Sequence, residues 1–156
     1  MLIEADDAAF AALAAGEAPG TLRLVEGGLE TPEIMAMLRN LAATVGAQFR
    51  PSAWMIVEAS EVVGLCSLKT PPDATGAVDI GYGVSAARRG RGIASRAVAD
   101  VLAWARQDSA INRVTAETSV ANIASQRVLE RNGFVLLATR HDDEDGELFC
   151  WQKQTP

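Results

Sequence analysis

The sequence predicts an α+β domain built on a mixed, mostly antiparallel central sheet flanked by helices. Three observations predict it. Two apolar runs, Ala53–Glu58 and Val62–Lys69, flank a tight turn at Ser60-Glu61, which makes them antiparallel neighbours. A strand, a helix and a strand then follow one another in Ala77–Val84, Gly92–Gln107 and Arg113–Ser119. That order requires a parallel strand pair joined by a right-handed crossover. Near the end, Phe134–Thr139 and Glu147–Lys153 flank the turn-forming run Asp142–Gly146 and read as a hairpin.

The remaining elements fall between these. Asp6 or Asp7 caps an alanine-rich helix that runs to about Ala15, and Gly16–Gly20 with Pro19 breaks it. Residues 1–20 therefore read as an N-terminal helical extension, and 21–156 as the main domain. Leu22 and Leu24 alternate with polar neighbours in a short strand that Gly27-Gly28 ends. Thr31-Pro32-Glu33 combines an N-cap hydroxyl, a first-position proline and an acidic first turn, and Ile34, Leu38, Leu41 and Val45 continue at helical spacing. A last helix runs from about Asn122 to Asn132, where Gly133 stops it.

Composition narrows the function. With 156 residues the chain suits one compact domain. Its formal charge of -6 argues against a general nucleic-acid surface, which needs clustered cations. No run is long enough to span a bilayer, and the residues before the apolar stretch Ala8–Ala15 carry acids where a secretory signal carries bases. A cytoplasmic protein is the expectation. Cys66 and Cys150 lack metal or redox spacing and read as core thiols; His141 beside Asp142–Asp145 reads as a solvated loop residue, so no metal is expected.

Against that acidic background, Ser85–Ala94 stands out. It joins a strand end to a helix start, where backbone N–H groups are unpaired and the helix dipole is positive. Gly90 and Gly92 let the backbone approach a ligand closely. Arg88, Arg89, Arg91 and Arg96 cluster there. An anion, above all a pyrophosphate, fits this arrangement. The Gly-Lys-Ser/Thr ending of a P-loop and the three spaced glycines of a dinucleotide fingerprint are both absent.

Arg89-Gly90-Arg91-Gly92-Ile93-Ala94 resembles the Arg/Gln-x-x-Gly-x-Gly/Ala signature of the GNAT superfamily of N-acetyltransferases. Ile80–Val84 resembles that family's fourth strand. Asn122-x-x-Ser125-x-x-Val128-Leu129-Glu130-Arg131-Asn132-Gly133-Phe134 resembles its second signature, in the branch that includes the ribosomal-protein-alanine N-acetyltransferases. The resemblance covers about Leu22 to the C-terminus. It implies fourth and fifth strands that splay apart, with the pantetheine of acetyl-CoA lying in the opening. Tyr82, Gly83 and Val84 would pair with its amides. Gly90, Arg91, Gly92, Ile93, Ala94 and Ser95, entered through Arg89, would hold the pyrophosphate, and Asn122 would touch the pantetheine. The family often dimerises, so a homodimer is among the expectations.

The residues support this independently. One face of Ala77–Val84 carries Val78, Ile80, Tyr82 and Val84; the other carries Ala77, Asp79, Gly81 and Gly83 and is nearly stripped of side chains, which suits close approach of a ligand. An ammonium must lose a proton before it can attack a thioester, and a carboxylate can take it. Thr115, Glu117 and Ser119 share one face of the fifth strand, and Glu117 lies five residues before Asn122, where the resemblance implies a base; Asp79 stands behind it as second candidate. Many family members place a tyrosine where this chain has Leu129, which leaves Ser125 and the helix N-terminus to assist the departing sulfur. The expected reaction is direct transfer of an acetyl group to an amine in a ternary complex. The acceptor is a small-molecule amine or a protein N-terminus. A catalytically silent acyl-CoA-binding module and an RNA-binding arginine loop remain as alternatives.

Overall fold

The computed structural model describes residues 1–155. Its elements in chain order are β1 (Leu2–Glu4), α1 (Asp7–Ala14), β2 (Arg23–Leu24), α2 (Pro32–Gly46), β3 (Ala53–Glu58), β4 (Glu61–Leu68), β5 (Ala77–Val84), α3 (Ile93–Ala105), β6 (Arg113–Ser119), α4 (Ile123–Arg131), β7 (Val135–Asp142) and β8 (Gly146–Gln154). The strands form one sheet in the order β1-β3-β4-β5-β6-β8-β7, with β2 added alongside the start of β4. β5 and β6 are parallel, as is the short β2–β4 contact; every other pairing is antiparallel. The predicted mixed, mostly antiparallel sheet is therefore the observed one.

Local chemistry explains the boundaries. The Asp6 carboxylate accepts from the Ala9 N–H at 2.8 Å and starts α1, and Thr31 caps α2 ahead of Pro32. The β3–β4 turn lies one residue earlier than the sequence reading placed it. Ala59 and Ser60 are its central residues, both at positive φ (48° and 63°), because that mirror-image turn matches strand twist. β4 consequently begins at Glu61. β1, which the sequence reading missed, has three residues, too few to show an alternation. It pairs with β3 across Leu2↔Ile56, Ile3↔Met55 and Glu4↔Trp54, so residues 1–20 supply an edge strand as well as the expected helix. That extra strand makes the expected fourth and fifth strands β5 and β6 here.

Two apolar layers cover the sheet. Phe10 and Leu13 of α1 and Met35 and Ala42 of α2 pack on Ala53, Met55, Val57, Val62 and Leu65. On the other layer, Val98, Val101, Leu102 and Ala105 of α3 and Leu129 of α4 pack on Val78, Ile80, Val114, Ala116 and Trp151. Trp54 and Trp104 stack edge to face in that layer with ring centroids 4.9 Å apart, and Trp151 donates to Thr118 Oγ1 at 2.9 Å. All three tryptophans therefore serve the packing. Among the described residues, no helix is long and apolar enough to cross a membrane.

Candidate functional site

β5 and β6 pair from Ala77↔Arg113 to Ile80↔Ala116, and there the ladder stops. β5 continues for four residues, held on its other side by β4 through Leu68↔Ile80 to Gly64↔Val84. The edge of Gly81–Val84 that faces β6 therefore carries no strand. This is the splay the resemblance implied. β4 approaches β5 closely here: a Cβ at Gly64 would lie 2.3 Å from the Gly83 carbonyl oxygen, a distance no side chain tolerates.

A cleft of about 630 Å³ opens from this edge. Tyr82, Gly83 and Val84 wall it from β5. Arg89, Gly90, Gly92, Ile93, Ala94 and Ser95 wall it from the loop and the start of α3, and Asn122 and Ser125 from α4. Gly92 is the N-cap of α3 at φ 72°, and Gly90 lies at φ 76°, so both adopt the left-handed conformation that favours glycine. Together they turn the chain so that the first residues of α3, Ile93, Ala94 and Ser95, line the cleft. Arg91 is the one predicted loop residue not on its wall; the Arg91 carbonyl accepts from Arg96 instead.

The arginine cluster divides its work. Arg88 pairs with Glu61 at 2.8 Å and Arg96 with Glu58 at 3.2 Å. Glu58 and Glu61 are direct cross-strand partners at the β3–β4 turn, where like charges repel. The two arginines neutralise them and clamp the loop to the hairpin tip. Arg89 donates from Nε to the Val84 carbonyl at 3.1 Å and ties the loop to the end of β5. Sequence reasoning missed Arg127, which lines the cleft from α4 with Ala124, Val128 and Arg131. Their i, i+3, i+4, i+7 spacing is the signal that could have found them. It also missed Glu30, which lies just before the α2 cap.

The helix α4 is aimed by its ends. Asn122 Oδ1 accepts from the Ser125 N–H at 3.1 Å, and Asn132 Nδ2 donates to the Ser95 and Val128 carbonyls at 3.1 and 2.9 Å, which locks α4 to α3. Ser125 is thereby presented to β5, and its Oγ lies 2.8 Å from the Tyr82 hydroxyl. Burial pushes the Tyr82 phenol above its usual pKa, opposed by the Ser125 hydrogen bond, so it holds its proton at neutral pH. Leu129, the position where the resemblance implied a tyrosine, is fully buried on the core side of α4. A phenol there would point into the core.

On the opposite face of β5 and β6 lies a polar strip. Asp79 accepts from Thr115 Oγ1 at 2.8 Å and sits 3.9 Å from Lys69 Nζ. Burial raises its pKa, with the Thr115 hydrogen bond and Lys69 pulling it back. Glu117 is the first β6 residue beyond the paired stretch. Both its oxygens accept from Arg140, from Nε and, at 3.0 Å, from Nη2. Neither Glu117 nor Asp79 lines the cleft. Cys66 is buried as expected, its thiol pushed up to about 12 by burial. Cys150 differs from the expectation: it is half-buried on this strip, 3.9 Å from Glu117, because β8 carries it to the less covered face.

Residues 2–135 match the acetyltransferase (GNAT) domain family. The chain belongs to the GNAT acetyltransferase family. The matched stretch begins at residue 2 and so takes in β1 and α1. An uncharacterized N-acetyltransferase, YjdG of Bacillus subtilis (strain 168), is 31% identical over 86 residues, 54% of this chain and 51% of that protein. The chain thus spans about half the length of that curated relative. Two solved GNAT-like structures superpose over nearly the whole chain. One is the Salmonella typhimurium acetyl transferase that modifies the N-terminal serine of the 50S ribosomal subunit protein L7/L12, with a TM-score of 0.76 and 20% identity, covering 99% of this chain and 94% of that one. The other is RimL, the ribosomal L7/L12 alpha-N-protein acetyltransferase, in complex with coenzyme A, with a TM-score of 0.75 and 19% identity, covering 98% and 92%. At that identity they establish the GNAT fold.

Proposed function

We propose that this protein is an N-acetyltransferase that moves the acetyl group of acetyl-CoA onto a primary amine by direct attack in a ternary complex. The observation that carries the reading is the cleft. It joins an unpaired strand edge, Gly81–Val84, to a helix start opened by Gly92, and Arg89, Arg127 and Arg131 line it in an acidic chain. A ligand with amides in one part and a polyanion in another fits that order of donors. Family membership and the coenzyme A held by RimL support the same donor.

Each group in the cleft then has a task. The free edge of β5 is available to the pantetheine amides, the α3 N-terminus and its glycines to the pyrophosphate, and the α4 cap region around Asn122 to the arm near the sulfur. The thioester supplies an activated acetyl carbon. The Tyr82 phenol and Ser125 hydroxyl form a joined donor pair on the α4 side, suited to handing a proton to a departing thiolate. Their presence removes the main ground for a silent module, which was the missing tyrosine at Leu129. The acceptor class proposed is a primary amine, whether a protein N-terminus or a small molecule.

Calorimetric titration with acetyl-CoA, followed by thiol release with a panel of amines, tests the reading. The panel holds a peptide with a free N-terminal serine, a polyamine and an amino sugar. One binding site and amine-dependent release are expected. Binding without turnover on any amine would favour the alternative, a silent acyl-CoA-binding module.

A further inference from the structure

Four carboxylates lie near the opening between β5 and β6, and three are already engaged. Glu117 has both oxygens on Arg140. Asp79 is held by Thr115 and Lys69. Glu61 is bound to Arg88 beneath the loop. The fourth is Glu30, which is exposed, has no ion-pair partner among the described residues and forms part of the cleft wall.

Its placement is built into the fold. Gly27 and Gly28 are consecutive left-handed residues, at φ 85° and 73°, that redirect the chain after β2. Leu29 packs into the apolar layers and Thr31 caps α2, so both neighbours of Glu30 are fixed. Between these anchors, Glu30 Oε1 comes within 3.6 Å of the place a Cβ on Gly83 would take. It therefore lies over the stripped face of β5, at the unpaired edge. The phenol of Tyr82, the neighbouring residue on the strand, projects from the other face. A carboxylate and a phenol on the two faces of one strand edge can serve the amine and the sulfur of a thioester held between them.

We infer that Glu30 is the carboxylate that receives the acceptor ammonium and takes its proton. The inference rests on the acetyl-transfer reading and assigns its base. The ammonium gives one proton to Glu30, and the freed nitrogen pair forms the N–C bond to the acetyl carbon. The C–S bond breaks with its electrons on sulfur. The second nitrogen proton balances the thiolate, through the Tyr82–Ser125 pair, and Glu30 returns its proton to solvent. Glu117 becomes a positioning residue that holds Arg140 on the β8 side of the strip.

The test compares Glu30→Gln with Glu117→Gln and Asp79→Asn, using the amine from the panel that gives the fastest thiol release with wild type. Acetyl-CoA affinity is measured by calorimetry in parallel; if wild type neither binds nor turns over, the transfer reading itself has failed. Glu30→Gln should bind acetyl-CoA within about threefold of wild type. It should lose roughly a hundred- to ten-thousand-fold in kcat/KM at pH about 7, the usual range for a general base. The loss should shrink as pH rises, because free amine then arrives already deprotonated. The acid limb of the wild-type pH profile should persist in Glu117→Gln; in Glu30→Gln it should be replaced by a rise at higher pH that follows deprotonation of the free amine. Wild-type rates and an unchanged profile in Glu30→Gln would overturn the inference. So would disappearance of the acid limb in Glu117→Gln or Asp79→Asn while Glu30→Gln keeps it.

Discussion

Tyr82 and Ser125 are 43 residues apart in sequence, yet their hydroxyl oxygens are 2.8 Å apart. A thiol of the cysteine type ionises near pH ~8.5, so the leaving group needs partial help. Tyr82→Phe should therefore slow single-turnover acetyl transfer by roughly ten- to a hundredfold, below the full range for general acids, with acetyl-CoA affinity little changed. Ser125→Ala, which leaves the phenol in place, should cost less. A larger loss in Ser125→Ala would make the serine the donor and the tyrosine its support. Asp79 offers a stability test. Burial raises its pKa, so folding favours its protonated form. Its contribution to stability is therefore fullest below the ordinary carboxylate pKa and falls as pH rises through the raised folded value. Asp79→Asn should melt at or above the wild-type temperature at pH about 7, and the advantage should fade toward pH about 3. Calorimetric melting at several pH values checks this. A variant less stable than wild type at neutral pH would mean that the attraction to Lys69 outweighs burial.

At the scale of elements, the loop between β5 and α3 carries the sharpest expectation. Gly92 sits at φ 72°, and a Cβ there would meet Arg96 Nη1 at 3.2 Å. Gly92→Val combines backbone strain of about 1–2 kcal/mol with a side chain at the helix start. Its melting temperature should fall, and its acetyl-CoA affinity should drop at least tenfold. Gly92→Asn separates the two effects, since asparagine tolerates the left-handed region. It should melt close to wild type and still bind acetyl-CoA weakly. Calorimetry on both variants decides, and undiminished binding by Gly92→Asn would remove this helix start from the proposed phosphate site. The same loop shows what a sequence can and cannot disclose. Its glycines and its junction of strand and helix were legible because they are contiguous. That Arg88 and Arg96 serve Glu61 and Glu58 was not, because those partners lie 27 and 38 residues away.

For the whole molecule, the legible part was the order of elements, since hydrophobic period and turn chemistry are local. The crossover between β5 and β6 followed from it, as did the cleft residues that sit in two contiguous motifs. Glu30 was illegible because nothing in Leu29-Glu30-Thr31 says that its side chain reaches β5. The order β6-β8-β7 was illegible for a related reason: the hairpin was visible, but not which of its strands meets the sheet. That order has a kinetic consequence. β8 occupies the interior place, so β6 stays an open edge until a strand some 33 residues later arrives. Closing that loop costs entropy before any ladder rewards it. The hairpin should form locally and dock as one body, so that β7 joins and leaves with β8. Amide protons of β6 facing β8 should then exchange at the rate at which the hairpin detaches. Each detachment frees Arg140 from Glu117 and uncovers the polar strip beside the cleft. Local unfolding of this edge would thus expose the polar strip well before the core melts.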